Sequence, residues 1–240
     1  MTTLAKIAIA LLLALFTSSC AFDISFGEGK RGNGQIVEEN REVTEEFTAV
    51  YASEGLDVFV TQGNNFEINI EADENIIDLI GTDIRNGSLR VHAIENIGRA
   101  TKNIYVTLPV VDALETSSGA DLVAQNTISS EKIELEASSG SDLEVEVDAR
   151  EVVAETSSGA DIRVSGRTDM LYADASSGSD IKARGLLAKR CNADASSGAD
   201  ISVNVSESLV ADASSGADIS YAGEAKVQKK KSVSGSVHKY

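Results

Sequence analysis

One polar octet recurs almost verbatim along this chain. "ADASSGAD" occupies residues 193–200 and again 211–218, and shorter copies of its core, SSG[AS]D, end at Asp121, Asp142, Asp161 and Asp180. The glycines of the six copies are Gly119, Gly140, Gly159, Gly178, Gly198 and Gly216, separated by 21, 19, 19, 20 and 18 residues. Self-similarity at a period near twenty is the mark of a solenoid, in which each repeat is one turn of a coil.

The letters around the octet say which kind. Leu209, Ala211, Ala213, Ser215, Ala217, Ile219 and Tyr221 share one parity, and Cys191, Ala193, Ala195, Ser197, Ala199, Ile201 and Val203 match them position for position. The second copy supplies Ile133, Leu135, Ala137, Ser139, Ser141, Leu143 and Val145. Strict alternation means strands, with this parity inward and the charged parity outward. Inward serines require hydroxyl partners on the backbone or one coil away. The glycine supplies a positive φ at a tight corner. The expected fold is all-β, a parallel β-helix of about 18–21 residues per coil. Variable coil length and the handedness of parallel crossovers favour the right hand.

Upstream of the only proline, Pro109, alternating segments "FTAVYA", "LDVFVTQ", "FEINIEA", "SLRVHA" and "NIYVTLP" read as short strands, and "ENIIDLI" (74–80) suits a short helix. "YASEGLDVFV" looks like a degenerate coil, with Gly55 and Asp57 in the places of the motif's Gly and Asp. Ordered structure is expected from Phe47, with the β-helix domain over 44–235 and the regular repeats over 109–225. Residues 20–43, Gly-rich and charged, read as a flexible tether. The "KVQKKK" end reverses the charge, so 226–240 reads as a basic cap whose lysines guard the last strand edge and balance the acids.

The first nineteen residues carry one Lys and an apolar run from Ile7 to Phe16, too short to span a bilayer and suited to a signal peptide. Thr17-Ser18-Ser19-Cys20 resembles the lipobox of bacterial lipoproteins, with Thr17 where Leu is commonest. That resemblance implies cleavage before Cys20, lipidation of Cys20, and a membrane-anchored protein of the cell envelope, at the outer membrane. Cys191 then remains as a lone thiol, read as a small buried apolar residue. The formal net charge of −17 excludes nucleic acid and anionic lipid surfaces as partners.

The outward acids form two columns. One holds Glu115, Glu136, Glu155, Asp174, Asp194 and Asp212; the other holds Asp121, Asp142, Asp161, Asp180, Asp200 and Asp218. At a coil spacing of about 4.8 Å, neighbours repel by about 0.9 kcal/mol in water and about 3.5 kcal/mol at an effective dielectric of 20. The columns must therefore be hydrated, protonated, hydrogen-bonded or neutralised. Two readings stand side by side: aspartates that cap turns, and a cation-binding ladder in which calcium bridges carboxylates. No other cofactor is expected.

Taken together, "FTAVYASEGLDVFVTQG", "FEINIEA", "NGSLRVHA", "NIYVTLP" and the SSG[AS]D copies resemble the putative auto-transporter adhesin, head GIN domain family, over roughly residues 43–235. The resemblance implies a right-handed β-helix on exported bacterial lipoproteins and carries over no catalytic residues. His92 and His238 are the only histidines, and no nucleophile or metal-hydrolase motif occurs. The expectation is a non-catalytic, adhesin-like envelope lipoprotein whose long repetitive face binds a glycan or another envelope protein. The alternative is a β-helix carbohydrate-active enzyme, a polysaccharide lyase or hydrolase, which a cleft with Lys or Arg among convergent carboxylates would mark.

Overall fold

The computed structural model describes residues 29–230 and 234–240. The signal peptide and Cys20 lie outside the described residues, as does Lys231. The chain forms a β-solenoid of about seven turns, with no α-helix among the described residues and no helix long and apolar enough to cross a membrane.

In the regular part each coil runs up one side, turns at SSG, runs along a second side and bends through a third. The first coil is β8 (Ala113–Thr116) and β9 (Asp121–Ala124). Longer strands follow, each bending across sides: β10 (Ile128–Ala137), β11 (Asp142–Thr156), β12 (Asp161–Ala175), β13 (Asp180–Ala195) and β14 (Asp200–Ala213). The array ends in β15 (Asp218–Ala222), β16 (Lys226–Lys229) and β17 (Ser236–Lys239). All neighbouring pairs are parallel and in motif register, with Asp142 beside Asp161 and Leu143 beside Ile162.

Equivalent apolar residues therefore stack into continuous columns. Val58, Leu122, Leu143, Ile162, Ile181, Ile201 and Ile219 form one buried line. Each such side chain contributes about 1.5–3 kcal/mol by leaving water. Cys191 takes its place between Leu171 and Leu209, and burial pushes its thiol up to about 12. It is the small apolar residue that its position predicts.

The N-terminal part departs from chain order. The degenerate coil, β2 (Ala49–Ala52) and β3 (Asp57–Gln62), does sit in the stack, with Asp57 beside Asp121. It is flanked on its other side by a coil that comes later in the sequence, β6 (Ser88–Ala93) and β7 (Lys102–Leu108). Between them the chain leaves the stack through β4 (Glu67–Asp73), a 3₁₀ turn at Ile77–Leu79 and β5 (Ile80–Arg85). The expected short helix over 74–80 is thus a single 3₁₀ turn. Strand β4 pairs antiparallel with β7, and β5 with β6, ending the parallel stack.

The expected tether is corrected in its second half. Residues 36–41 form β1 (Ile36–Arg41), antiparallel to β4. Residues 30–35 are pinned ahead of it. Buried Asp73 accepts hydrogen bonds from the Gly34 N–H (2.5 Å) and the Thr101 N–H (2.7 Å), while Gly32 N–H donates to Arg99 carbonyl at 3.0 Å. Order begins well before Phe47, because partners dispersed over residues 73–101 supply what the local pattern lacks.

Glycine positions separate two constraints. Gly159, at φ 72°, faces open space, whereas a Cβ on Gly166, at φ 103°, would lie 2.0 Å from the Val147 carbonyl oxygen of the neighbouring coil. Gly159→Ala should cost about 1 kcal/mol of backbone strain and Gly166→Ala several times more, as urea unfolding of the two variants will show.

Candidate functional site

The SSG corner is a turn with two left-handed residues. The middle serines (118, 139, 158, 177, 197, 215) have φ of 53–58° and the following glycines 68–78°. Positive φ at both central positions is the signature of a type I′ turn. In the first copy the Ala120 N–H closes it onto the Ser117 carbonyl at 3.2 Å. Corners are also bonded to each other: the Gly119 N–H donates to Ser139 carbonyl (3.2 Å), Gly140 to Ser158 (3.1 Å), and so on to Gly198 and Ser215 (3.1 Å). Glu54 (φ 63°) and Gly55 (φ 68°) repeat the conformation in the degenerate coil.

This geometry corrects one expectation. The middle serines, including Ser139, Ser197 and Ser215, point to solvent instead of inward. The left-handed pair lifts both central residues out of the pleat, so strand parity does not run through the corner. Alternation resumes at Ala120 and its equivalents, which are buried.

Two serines of the repeat copies do lie inside, and each has a partner the motif only hints at. Ser141 Oγ is 2.9 Å from Thr116 Oγ1 one coil away and donates to its own Ser138 carbonyl at 2.9 Å. Ser179 Oγ likewise meets Thr156 Oγ1 at 2.9 Å and the Ser176 carbonyl at 2.8 Å. Copies ending SSGS thus alternate with copies beginning TSSG, so that buried hydroxyls come in pairs. The backbone carbonyl is one of the expected partners; the threonine takes the place of the expected serine one coil away, and it is visible in the sequence only once coils are superposed.

Both predicted columns exist and face outward. Glu115, Glu136, Glu155, Asp174, Asp194 and Asp212 are consecutive partners. So are Asp121, Asp142, Asp161, Asp180, Asp200 and Asp218, with Asp57 ahead of them. Their ends are polar or basic: Tyr51 and Arg90 precede Glu115, and Lys230 reaches Asp212 at 3.4 Å. Lys230 thus does the neutralising expected of the basic end.

The aspartate column has internal counter-ions that the sequence reading passed over. Arg163 lies 3.7 Å from both Asp142 and Asp161; Lys182 lies 2.8 Å from Asp161 and 3.3 Å from Asp180. The signal was a cation two residues after the motif Asp in the third and fourth copies. Four carboxylates of the predicted columns, Asp121, Asp200, Glu115 and Asp174, are held above their ordinary range, chiefly by partial burial and then by neighbours. Asp121 feels Asp57 and Asp142, with Lys102 acting the other way; Asp200 feels Asp180 and Asp218. In the other column Glu115 feels Glu136 and Glu134, and Asp174 feels Asp194 and Glu155. Among the described residues no group of three or more His, Cys, Asp or Glu is arranged to hold a metal. The columns are ladders of pairs.

Grooves lie along the faces. One of about 600 Å³ is lined by Asp180, Asp200 and Asp218 together with Lys182, Arg184 and His238. This is the mixture that would mark the enzymatic alternative, yet its cations are engaged: Lys182 by Asp161 and Asp180, and Arg184 over the Tyr240 ring at 4.1 Å. His92 stands on β6 opposite Gly81, its Nε2 3.7 Å from Asp83, well apart from His238 in β17.

Residues 46–225 match the model of the family described as putative auto-transporter adhesin, head GIN domain. The chain belongs to that family. Solved structures share the head GIN fold. A putative adhesin from Bacteroides fragilis is 18% identical, with TM-score 0.80 over 88% of this chain and 100% of that one. A putative adhesin from Parabacteroides merdae is 17% identical (TM-score 0.71; 88% and 98% covered). A putative lipid binding protein from Parabacteroides distasonis is also 17% identical (TM-score 0.72; 88% and 99% covered). No curated protein matches the chain.

Two outcomes follow for this head GIN domain. Ser141→Ala strands the buried Thr116 hydroxyl and should cost about 1–3 kcal/mol; adding Thr116→Val should return part of that in urea unfolding. Carboxylates with raised folded pKa bind protons more readily folded than unfolded, so stability falls as pH rises through their titration. The melting temperature should climb as pH falls from 7 toward about 5. It should drop again in stronger acid, where Asp148 and Asp169, held low by Arg167 and Lys189, become protonated.

Proposed function

We propose that the chain is a non-catalytic, adhesin-like binding module of the cell envelope, anchored by lipid on Cys20 and presenting its acidic columns to a glycan or another envelope protein. One observation carries the reading: the carboxylates repeat with the coil along open faces. A hydrolase or lyase instead gathers a unique constellation in a cleft. A repeated, rigid row of acceptors suits many weak contacts whose combined strength grows by valency. Family membership and the shared fold with proteins described as adhesins support it. Acyl chains on Cys20 supply the membrane affinity of one or more buried hydrocarbon tails.

The proposed binding does not require bound calcium. Mobile cations in solution screen the repulsion between stacked carboxylates.

Two measurements test the reading. In a bacterial host, Cys20→Ala should move the protein from the membrane fraction to the soluble one and abolish labelling by a radioactive fatty acid. Beads coated with the wild-type protein should attach to bacterial or host cell surfaces. Beads carrying Asp174→Asn, Asp194→Asn and Asp200→Asn together should attach several-fold less. Unchanged membrane partition would remove the anchor, and unchanged attachment would remove the acidic face.

A further inference from the structure

The side carrying the glutamate-led column has a second outward row, two residues earlier in each coil. In register it runs Glu134, Val153, Tyr172, Asn192 and Val210. Beside it lie Glu155, Asp174, Asp194 and Asp212, and between the rows is a groove of about 470 Å³ that ends at Lys230. Tyr172 is 40% exposed, one of the few large aromatic side chains presented to water in the repeat array.

The polar groups around that ring are uncommitted. Among the described residues, the Tyr172 hydroxyl, the Asn192 amide and the Asp174 and Asp194 carboxylates make no hydrogen bond or ion pair within the protein, while Lys230 is taken by Asp212. Contrast the other corner face, where Arg163 and Lys182 lie between successive aspartates. That face shows how the coil accommodates a cation: between two stacked carboxylates, an ammonium 2.8 Å from one and 3.3 Å from the next. At Asp174 and Asp194 the same stacked pair has no such cation among the described residues.

Three requirements for an occupant follow. It needs an apolar face to lie on an exposed tyrosine ring, since Tyr supplies contact area at small entropic cost. It needs hydroxyl groups for the Asn192 amide and the carboxylates. It needs a positive charge to complement Glu155, Asp174 and Asp194. We propose that this groove binds an amino sugar with a free, protonated amine, its pyranose face on Tyr172 and its ammonium between Asp174 and Asp194. The inference rests on the binding-module reading and names the ligand class for one face of it. The ammonium near the tyrosine ring gains a cation–π attraction as well as the carboxylate contacts. No divalent ion is called for, because the site offers two stacked carboxylates in place of a cage of oxygen ligands.

The test is calorimetric titration of the full chain in detergent with four probes: a glucosamine tetramer with free amines, the same tetramer N-acetylated, a glucose tetramer, and a lysine tetrapeptide. The free-amine tetramer should bind, and the two uncharged ones at least about tenfold more weakly. Its affinity should fall as salt rises. Tyr172→Ala and Asp194→Asn should each weaken it by about tenfold. Both residues are exposed, so near-ultraviolet spectra and melting should stay close to wild type. Arg167→Ala, on a different side of the coil, should bind as wild type does. Equal binding of all three sugars, or full binding by Tyr172→Ala, overturns the proposal. Tighter binding of a lysine tetrapeptide than of the glucosamine tetramer overturns it in favour of a protein ligand. If the sugars fail while coated beads still attach to cells, the amino-sugar inference falls and the binding module stands.

Discussion

Each corner glycine donates its N–H to the middle serine carbonyl of the next coil, and that bond makes every other feature repeat. In a solenoid the strand hydrogen bonds run between coils, so a turn that stacks on its copy fixes the register of both strands leaving it. The left-handed Ser–Gly pair is compact, leaves the glycine in open space, and is the same in all six copies. Bends on the third side absorb the varying coil length; there the register slips between Arg163 and Gly166 and between Ala183 and Leu187.

The register kept on the two sides that meet at each corner has an electrostatic consequence: like residues must lie over like. For isoleucine and alanine this builds the core at no cost. For carboxylates it builds a line of repulsion that the protein manages locally, with Arg163 and Lys182 between aspartates, Lys230 at one end, and raised proton affinity at Asp121 and Asp200. Where no counter-ion is supplied the columns stay exposed. Grooves border the columns beside Tyr172 and beside Ser202 and Ser220.

The same stacking rule explains the buried hydroxyls and the capped end. Buried hydroxyls enter the corner as Thr116 with Ser141 and Thr156 with Ser179, each serine also bonding its own turn carbonyl, and the last two copies have alanine at both positions. At the N-terminal end a further parallel coil would leave an open edge. Antiparallel β4, β1 and β5 end it instead, and the charged β1 segment faces outward as the final edge.

Motif spacing and parity by themselves determined the coil, its inward alanine and isoleucine lines, the membership of both acidic columns, the place of Gly55 and Asp57, and the burial of Cys191. These are local consequences of a period repeated six times, and one copy predicts the next. The tertiary structure alone decided what lies between non-equivalent segments. It placed β2 and β3 between β6–β7 and β8–β9, out of chain order, and bound residues 30–41 to Asp73 and β4. It also turned the middle serines to solvent and set Arg163 and Lys182 between aspartates. Nothing periodic marks those arrangements, because each depends on hydrogen bonds or charges from residues distant in sequence or on backbone dihedrals that strand alternation does not encode.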